Sequence, residues 1–368
     1  MDEKISFTME EDLLPVVGTL HSGEKSPLSL LKGTKKQIPA DSISRLRSRG
    51  IVDASDKIKS EFEHAVETLA RTSTFARLKF SAGKTIFEFI VYFPEDQTSP
   101  VSLTHNAHEI IVHDPAAIDD IFDLIDQNVG HSGLLSVQFS GEFSHEEALA
   151  LCAMLDLERN ALLRRLAGGT EPVQRAYNLP QITSWAGDKK KSYQSFEFVV
   201  QSRIGLSSPP TPQQIQNGLL SLAAKGHVLR PESKFQLNET LENVAGRFPI
   251  IDNFAIVETV KLVNNKTLWA GSFISLQAGV NDLLYLESID GKIIIRCITG
   301  LELLNLVARS LSDPDYIKVP SEPLPAPSSP ELPKKGSFCS KCGAPIRVGK
   351  QFCAKCGEKV TTPTMESV

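Results

Sequence analysis

The chain has 368 residues, 41% hydrophobic and 23% charged, with a formal net charge of −5. That is enough apolar mass for two domains and a small appendage, and the charge excludes a uniformly basic nucleic-acid coat. No stretch reaches the roughly 18 consecutive apolar residues of a membrane span, short runs such as 196–200 included, so any membrane role is expected to be peripheral.

The opening Met1-Asp2-Glu3-Lys4 carries neither the basic nor the apolar segment of a secretory signal, and a reducing cytoplasm is the expected compartment. From residue 41 onward, Ile43, Leu46, Gly50 and Val52 predict a helix closed by glycine, and Glu67-Thr68-Leu69-Ala70 ends a second amphipathic helix. The alternation Phe75, Arg77, Lys79 and then Phe87, Phe89, Val91 around Gly83-Lys84-Thr85 predicts a β-hairpin. Gly83-Lys84-Thr85 is not a phosphate loop, because the glycine such a loop needs five residues earlier is replaced by Leu78. His105, His108, His113 and Asp114 suit neither one helical face nor a pair of turns, so exposed loop histidines are expected rather than a metal site. Glu109-Ile110-Ile111-Val112 reads as a strand, and Ile118, Ile121 and Leu124 as the face of a closing helix.

Residues 144–168 predict a strong helix: Ser144 as N-cap, Glu147 completing a capping box, and leucines on more than one face. Such breadth implies burial or a partner. Residues 168–191, with Pro172, Pro180, Gly187 and Lys189-Lys190-Lys191, are expected to form a long surface loop. The earlier pattern then returns. Leu219, Leu222, Gly226 and Val228 match Ile43, Leu46, Gly50 and Val52; Glu242-Asn243-Val244-Ala245 matches Glu67 to Ala70; and Asn265-Lys266-Thr267-Leu268-Trp269 matches Gly83 to Phe87. Lys292 to Ile295 matches Glu109 to Val112, and Leu301, Leu304 and Val307 match Ile118, Ile121 and Leu124.

Residues 41–129 and 217–311 therefore read as two divergent copies of one unit, the alternative being two units that share a generic hydrophobic rhythm. The expected fold is α+β: a duplicated body with a mainly antiparallel central sheet and covering helices about a pseudo-twofold axis. Residues 1–130 form the first unit, and residues 131–311 the connecting helix and second unit. The remaining cysteines of the body, Cys152 and Cys297, sit in apolar surroundings and read as buried thiols.

Residues 312–336 hold Pro314, Pro320, Pro323, Pro325, Pro327, Pro330 and Pro333, a composition for an extended spacer. At about 3.1 Å per residue it can place the C-terminal residues roughly 50 Å from the body. Beyond it, Cys339, Cys342, Cys353 and Cys356 form C-x2-C-x10-C-x2-C. Each pair on a tight turn can aim two sulfurs at one ion, and two turns close a tetrahedron of thiolates, so one structural Zn2+ is expected. Gly343 and Gly357 come directly after the pairs, where lack of a Cβ lets each knuckle close. A pair of disulfides is the alternative reading, suited to a secreted module. Residues 337–360 resemble the short zinc-ribbon family, and its closed site implies no catalytic position for water or substrate. Seven lysines and arginines between Lys334 and Lys359 face the single acid Glu358. Allowing about −2 for a zinc tetrathiolate leaves the ribbon basic by about four charges. Lys341, Arg347, Lys350 and Lys355 are its candidate binding residues, for an acidic protein or for nucleic acid; a solvated face is the plain alternative.

No G-x-S-x-G elbow, paired-carboxylate motif or dinucleotide fingerprint occurs in the chain, so a non-enzymatic protein is expected. Leu46-Arg47-Ser48-Arg49-Gly50-Ile51-Val52-Asp53, Ala65 to Ala70, the strand ending Ile110-Ile111-Val112 and its closing helix, together with the helix after Leu134 to Phe139, resemble the EspG-type chaperones of type VII secretion over residues 1–315. That resemblance implies a quasi-twofold body and a cytosolic protein that grips an exposed apolar helical tip on a partner. The proline spacer and ribbon depart from that family. A protein-binding adaptor or chaperone with a tethered ribbon is the leading expectation, and a nucleic-acid-associated regulator the alternative.

Overall fold

Alternating residues of one strand, Phe75, Arg77 and Lys79 against Ala76, Leu78 and Phe80, divide between two faces, and this strand lies at the centre of the main sheet. The structure is a computed structural model that describes residues 4–31, 38, 40–94, 99–106, 108–169, 173–187, 194–205, 208–263, 267–313 and 316. Its contacts divide the chain into Met1–Lys318 and Val319–Val368, and all described residues lie in the first unit. The proline-rich segment from residue 317 on and the ribbon lie outside the described residues.

The first half of the unit contains β1 (Ile5–Glu10), α1 (Leu14–Leu20), α2 (Ala40–Ser48), α3 (Glu63–Arg71), β2 (Thr74–Ala82), β3 (Thr85–Phe93), β4 (Val101–Asn106), β5 (Glu109–Asp114) and α4 (Ile118–Val129). Next along the chain are β6 (Ser140–Phe143), α5 (His145–Leu166), β7 (Ala176–Tyr177), α6 (Leu179–Gly187), α7 (Phe196–Arg203), α8 (Pro212–Ala224), β8 (Val228–Leu229), β9 (Phe235–Leu237) and α9 (Glu239–Arg247). Then come β10 (Asn253–Val263), β11 (Thr267–Ala278), β12 (Asp282–Ile289), β13 (Lys292–Ile298) and α10 (Gly300–Ser312).

Ten strands form one antiparallel sheet in the order β1-β5-β4-β3-β2-β10-β11-β12-β13-β6, and β7-β9-β8 form a small second sheet. The central ladder runs from Ala255 opposite Phe80 to Lys261 opposite Thr74, and its middle pair is Glu258 with Arg77. Outward from that pair, each side has three successive strands and then an edge strand that comes from earlier in its own half. The local chemistry matches as well. Gly50 (φ +74°) and Gly226 (φ +77°) close α2 and α8 in the left-handed conformation that glycine adopts without a Cβ clash. Gly50 N–H donates to Arg47 O (3.0 Å) and Ile51 N–H to Leu46 O (3.0 Å); Gly226 N–H donates to Ala223 O (3.1 Å) and His227 N–H to Leu222 O (3.0 Å).

One matched position is displaced. α4 buries Ile121, Ile125 and Val129, and α10 buries Leu303, Val307 and Leu311, so the faces correspond one residue away from the alignment of Ile121 and Leu124 with Leu304 and Val307. Leu301 is 49% exposed. The start of α10 fixes this register: Thr299 caps it by accepting from Glu302 N–H, and a Cβ on Gly300 would come within 2.1 Å of Gly130 O.

Residues 144–168 form α5 with the expected capping box, Ser144 Oγ accepting from Glu147 N–H (3.2 Å) and Glu147 Oε2 from Ser144 N–H (2.8 Å). Its first turns are buried all round, because α6, α7, α8 and α9 and the sheet surround it. The surface loop expected at 168–191 is instead partly ordered into β7 and α6. Asn178 and Gln181 cap α6 reciprocally at 2.9 Å each way, and Tyr177, Ile182 and Ala186 enter the core; apolar burial outweighs the loop-forming prolines and glycines. Lys189-Lys190-Lys191 lies outside the described residues.

The histidines also differ from expectation. His105 lies on β4 and His113 on β5, both half-buried, while His108 alone is on an exposed turn. Strand alternation, not a loop, spaces them. Asp114 is buried and bonds His64 Nδ1 at 2.7 Å. Cys152 is fully buried; Cys297 is half-buried, and burial pushes its thiol up to about 12.

Candidate functional site

Helices cover one face of the sheet unevenly. α1 and α3 pack over β1, β5, β4 and β3 through Phe7, Met9, Ile90, Tyr92, Leu103 and Val112. The bundle α5 to α9 packs over β11, β12 and β13 through Ile274, Leu276, Leu284, Leu286 and Ile295. The opposite face is covered at its centre by α4 and α10, which meet Leu78, Phe80, Val91, Val257 and Phe273. Between the two helical layers, the first face is left open along β2 and β10 among the described residues.

The alternation of the strands decides what this open strip presents. Arg77 stands opposite Glu258 and Ile90, Lys79 opposite Glu88, and Glu258 opposite Ser272. At one end, Phe75 and Val260 are half-buried, and Leu268 (60%) and Ala270 are exposed. At the other end stands Ile86, 62% exposed. The two-residue alternation puts each of these on the same side as Arg77, since the residues of the opposite phase fill the core beneath α4 and α10.

The charges of the strip are interlaced but loosely paired. Arg77 Nη1 is 3.7 Å from Glu258 Oε2, and Lys79 Nζ 3.7 Å from Glu88 Oε1. Arg77 Nε approaches Glu88 Oε1 at 3.2 Å off-line, without forming a hydrogen bond. Arg203, at the end of α7, reaches over the strip: its Nη1 is 3.6 Å from Glu258 Oε1 and 3.4 Å from Ser272 Oγ, and its Nε has no partner.

A buried clamp positions α7 and therefore Arg203. Asp156 on α5 accepts from Ser195 Oγ (2.7 Å), Phe196 N–H (3.0 Å), Glu197 N–H (3.1 Å) and Arg159 Nη1 (2.6 Å). Three of these donors belong to the first turn of α7 and its cap, where a carboxylate is favoured by unpaired N–H groups. Arg159 in turn donates to Phe248 O and Gln194 O and stacks 4.2 Å over the Phe196 ring. Burial raises the Asp156 carboxyl and lowers the Arg159 guanidinium, each opposed by the other's charge. Glu197, also buried, is pushed up to about 7 by burial first, against the Gln201 amide and with the Asp156 charge adding to the rise.

None of the strip residues was singled out by sequence motif. The signal present in the sequence was Arg77 and Lys79 in a strand whose other phase is apolar, but that pattern equally marks a solvated face. Cys339, Cys342, Cys353 and Cys356, with Lys341, Arg347, Lys350 and Lys355, lie outside the described residues. Among the described residues no three His, Cys, Asp or Glu side chains gather as a metal site, and no helix is long and apolar enough to cross a membrane.

Residues 338–360 match the zinc-ribbon domain family. Cys339, Cys342, Cys353 and Cys356 fall within that stretch. A search of curated proteins finds no match to the chain. Among solved structures, the Mycobacterium tuberculosis type VII secretion system chaperone EspG5, in complex with a PE25-PPE41 dimer, is similar at 12% identity and a TM-score of 0.42, over 84% of this chain and 96% of that one.

Proposed function

We propose that this chain is a non-enzymatic, cytoplasmic adaptor or chaperone whose body holds a segment of another protein in the open strip, with the zinc ribbon as a second contact. The observation that carries this reading is the strip itself: a sheet centre flanked by two helical layers, with Leu268, Ala270 and Ile86 exposed around half-buried charges. Apolar side chains left exposed beside half-buried, loosely paired charges are groups that a protein partner covers. The two halves, in this reading, carry copies of one unit over residues 41–129 and 217–311, and α6 and α7, which wall one side of the strip, lie in the segment between the copies. Cys339, Cys342, Cys353 and Cys356 hold one ion, and the basic surplus of Lys341, Arg347, Lys350 and Lys355 favours an acidic partner.

Photo-crosslinking in the native cell tests the reading. A benzoylphenylalanine at position 268 or 270 should trap the same discrete protein, while one at Leu166, exposed on the far end of α5, should not. Equal adducts at all three positions, or none, would reject the strip as the binding surface. Binding of the full chain to DNA or RNA that weakens steeply with salt, and is lost when the four basic ribbon residues become glutamine, would favour the nucleic-acid alternative.

A further inference from the structure

We infer that the open strip selects a partner segment in which an acidic side chain stands among apolar ones, its carboxylate entering between Arg77 and Arg203. This rests on reading the strip as the partner-binding surface, and adds the chemistry of the segment it holds. Three cations, Arg77, Lys79 and Arg203, share two carboxylates, Glu88 and Glu258. Glu258 is divided between two guanidiniums, at 3.7 Å from Arg77 and 3.6 Å from Arg203. Charge-assisted N–H···O bonds close to about 2.7–2.9 Å, so neither contact is a made bond.

The same chain makes tight arginine pairs elsewhere. Arg45 takes Asp12 with two bonds of 2.8 and 3.0 Å at the surface, and Arg159 is fully engaged in the core. The strip arginines differ in that each has a buried Nε without a hydrogen-bond partner and meets Glu258 only through a loosely placed Nη1, although their side chains are only 35% and 16% exposed. A half-desolvated guanidinium with unspent donors is costly alone and gains from an incoming carboxylate, which matches the planar fork of donors. The strip thus carries one positive charge in excess on a chain whose formal net charge is −5. Phe75, Val260, Leu268 and Ala270 at one end supply apolar contact for the residues beside the acid.

A phage-displayed library of random peptides, panned against the full chain, provides the probe. Selected peptides whose binding is lost on Leu268→Gln/Ala270→Gln should carry Asp or Glu flanked by apolar residues. Replacing that acid by its amide should weaken binding roughly tenfold to the native chain, about 1.4 kcal/mol, and leave binding to Arg77→Gln/Arg203→Gln unchanged. Glu258→Gln, which removes the internal competitor for both guanidiniums, should tighten binding of the acidic peptide several-fold; Arg203→Lys should retain part of the preference. Strip-dependent peptides with no acid, or no tightening on Glu258→Gln, would overturn this inference and leave the adaptor reading standing. No peptide sensitive to Leu268→Gln/Ala270→Gln would overturn both.

Discussion

Glu197 shows how much a single side chain can carry. Its carboxyl is buried beside the Asp156 and Arg159 pair, where Asp156 has four donors and Glu197 has the amide of Gln201. One arginine cannot neutralise two buried acids, and Asp156 is the one whose charge the surrounding donors stabilise. With the folded value raised to about 7 from 4.5, the native state binds more protons than the unfolded state between those values, so stability falls as pH rises through that window. Glu197→Gln should therefore remove a slope. Urea unfolding at a series of pH values is expected to show the variant gaining on the native chain from about pH 5 to pH 8, by up to about 3 kcal/mol. Parallel curves would show that Glu197 is not protonated in the fold. Since α7 carries both Glu197 and Arg203, its ionisation acts on the element that walls the strip.

At the scale of elements, α5 is the post around which the second half is built. Leu149, Leu151, Cys152, Met154 and Leu155 are all buried, which requires neighbours on every side rather than the single apolar stripe of a surface helix. Glu147 joins its start to α8, with Lys225 Nζ 2.8 Å from the carboxylate that also completes the capping box. Leu151→Ala should cost about 2–5 kcal/mol by leaving a cavity, and Leu166→Ala, at the exposed end, less than about 0.5 kcal/mol. Chemical denaturation of the two variants side by side checks this; similar losses would contradict the burial of the central turns. Helix caps and turns were legible from residues near in sequence: Ser144 with Glu147, Gly50 and Gly226, and the hairpin around Gly83 all form where their chemistry places them. The register of α10 and the ordering of β7 and α6 were not, because they depend on contacts with Gly130 and with the α5 bundle.

At the scale of the whole molecule, the chain joins a large sheet body to a segment, residues 338–360, that matches the zinc-ribbon family. A short zinc module folds on its ion, so binding energy and folding energy are the same quantity there. One zinc per chain is expected by elemental analysis of reduced material. Chelation should remove it while leaving the cooperative unfolding transition of the body within about 1 °C, since the buried hydrophobic clusters lie among residues 5–311. A body transition that shifts with chelation would show that the metal supports more than the ribbon.

The four-cysteine spacing, the helix and strand order within residues 41–129 and 217–311 and the recurrence of that order belong to the sequence by itself, because each arises from backbone preferences and side-chain periodicity over a few residues. Tertiary structure alone decided which face of the sheet stays open. Arg77 and Glu258 are far apart along the chain and each reads as an ordinary outward charge; their pairing at the middle of the central ladder, with Arg203 brought over them by the Asp156 clamp, exists only once two halves have joined edge to edge. Long-range packing chooses that surface, and no local pattern encodes it.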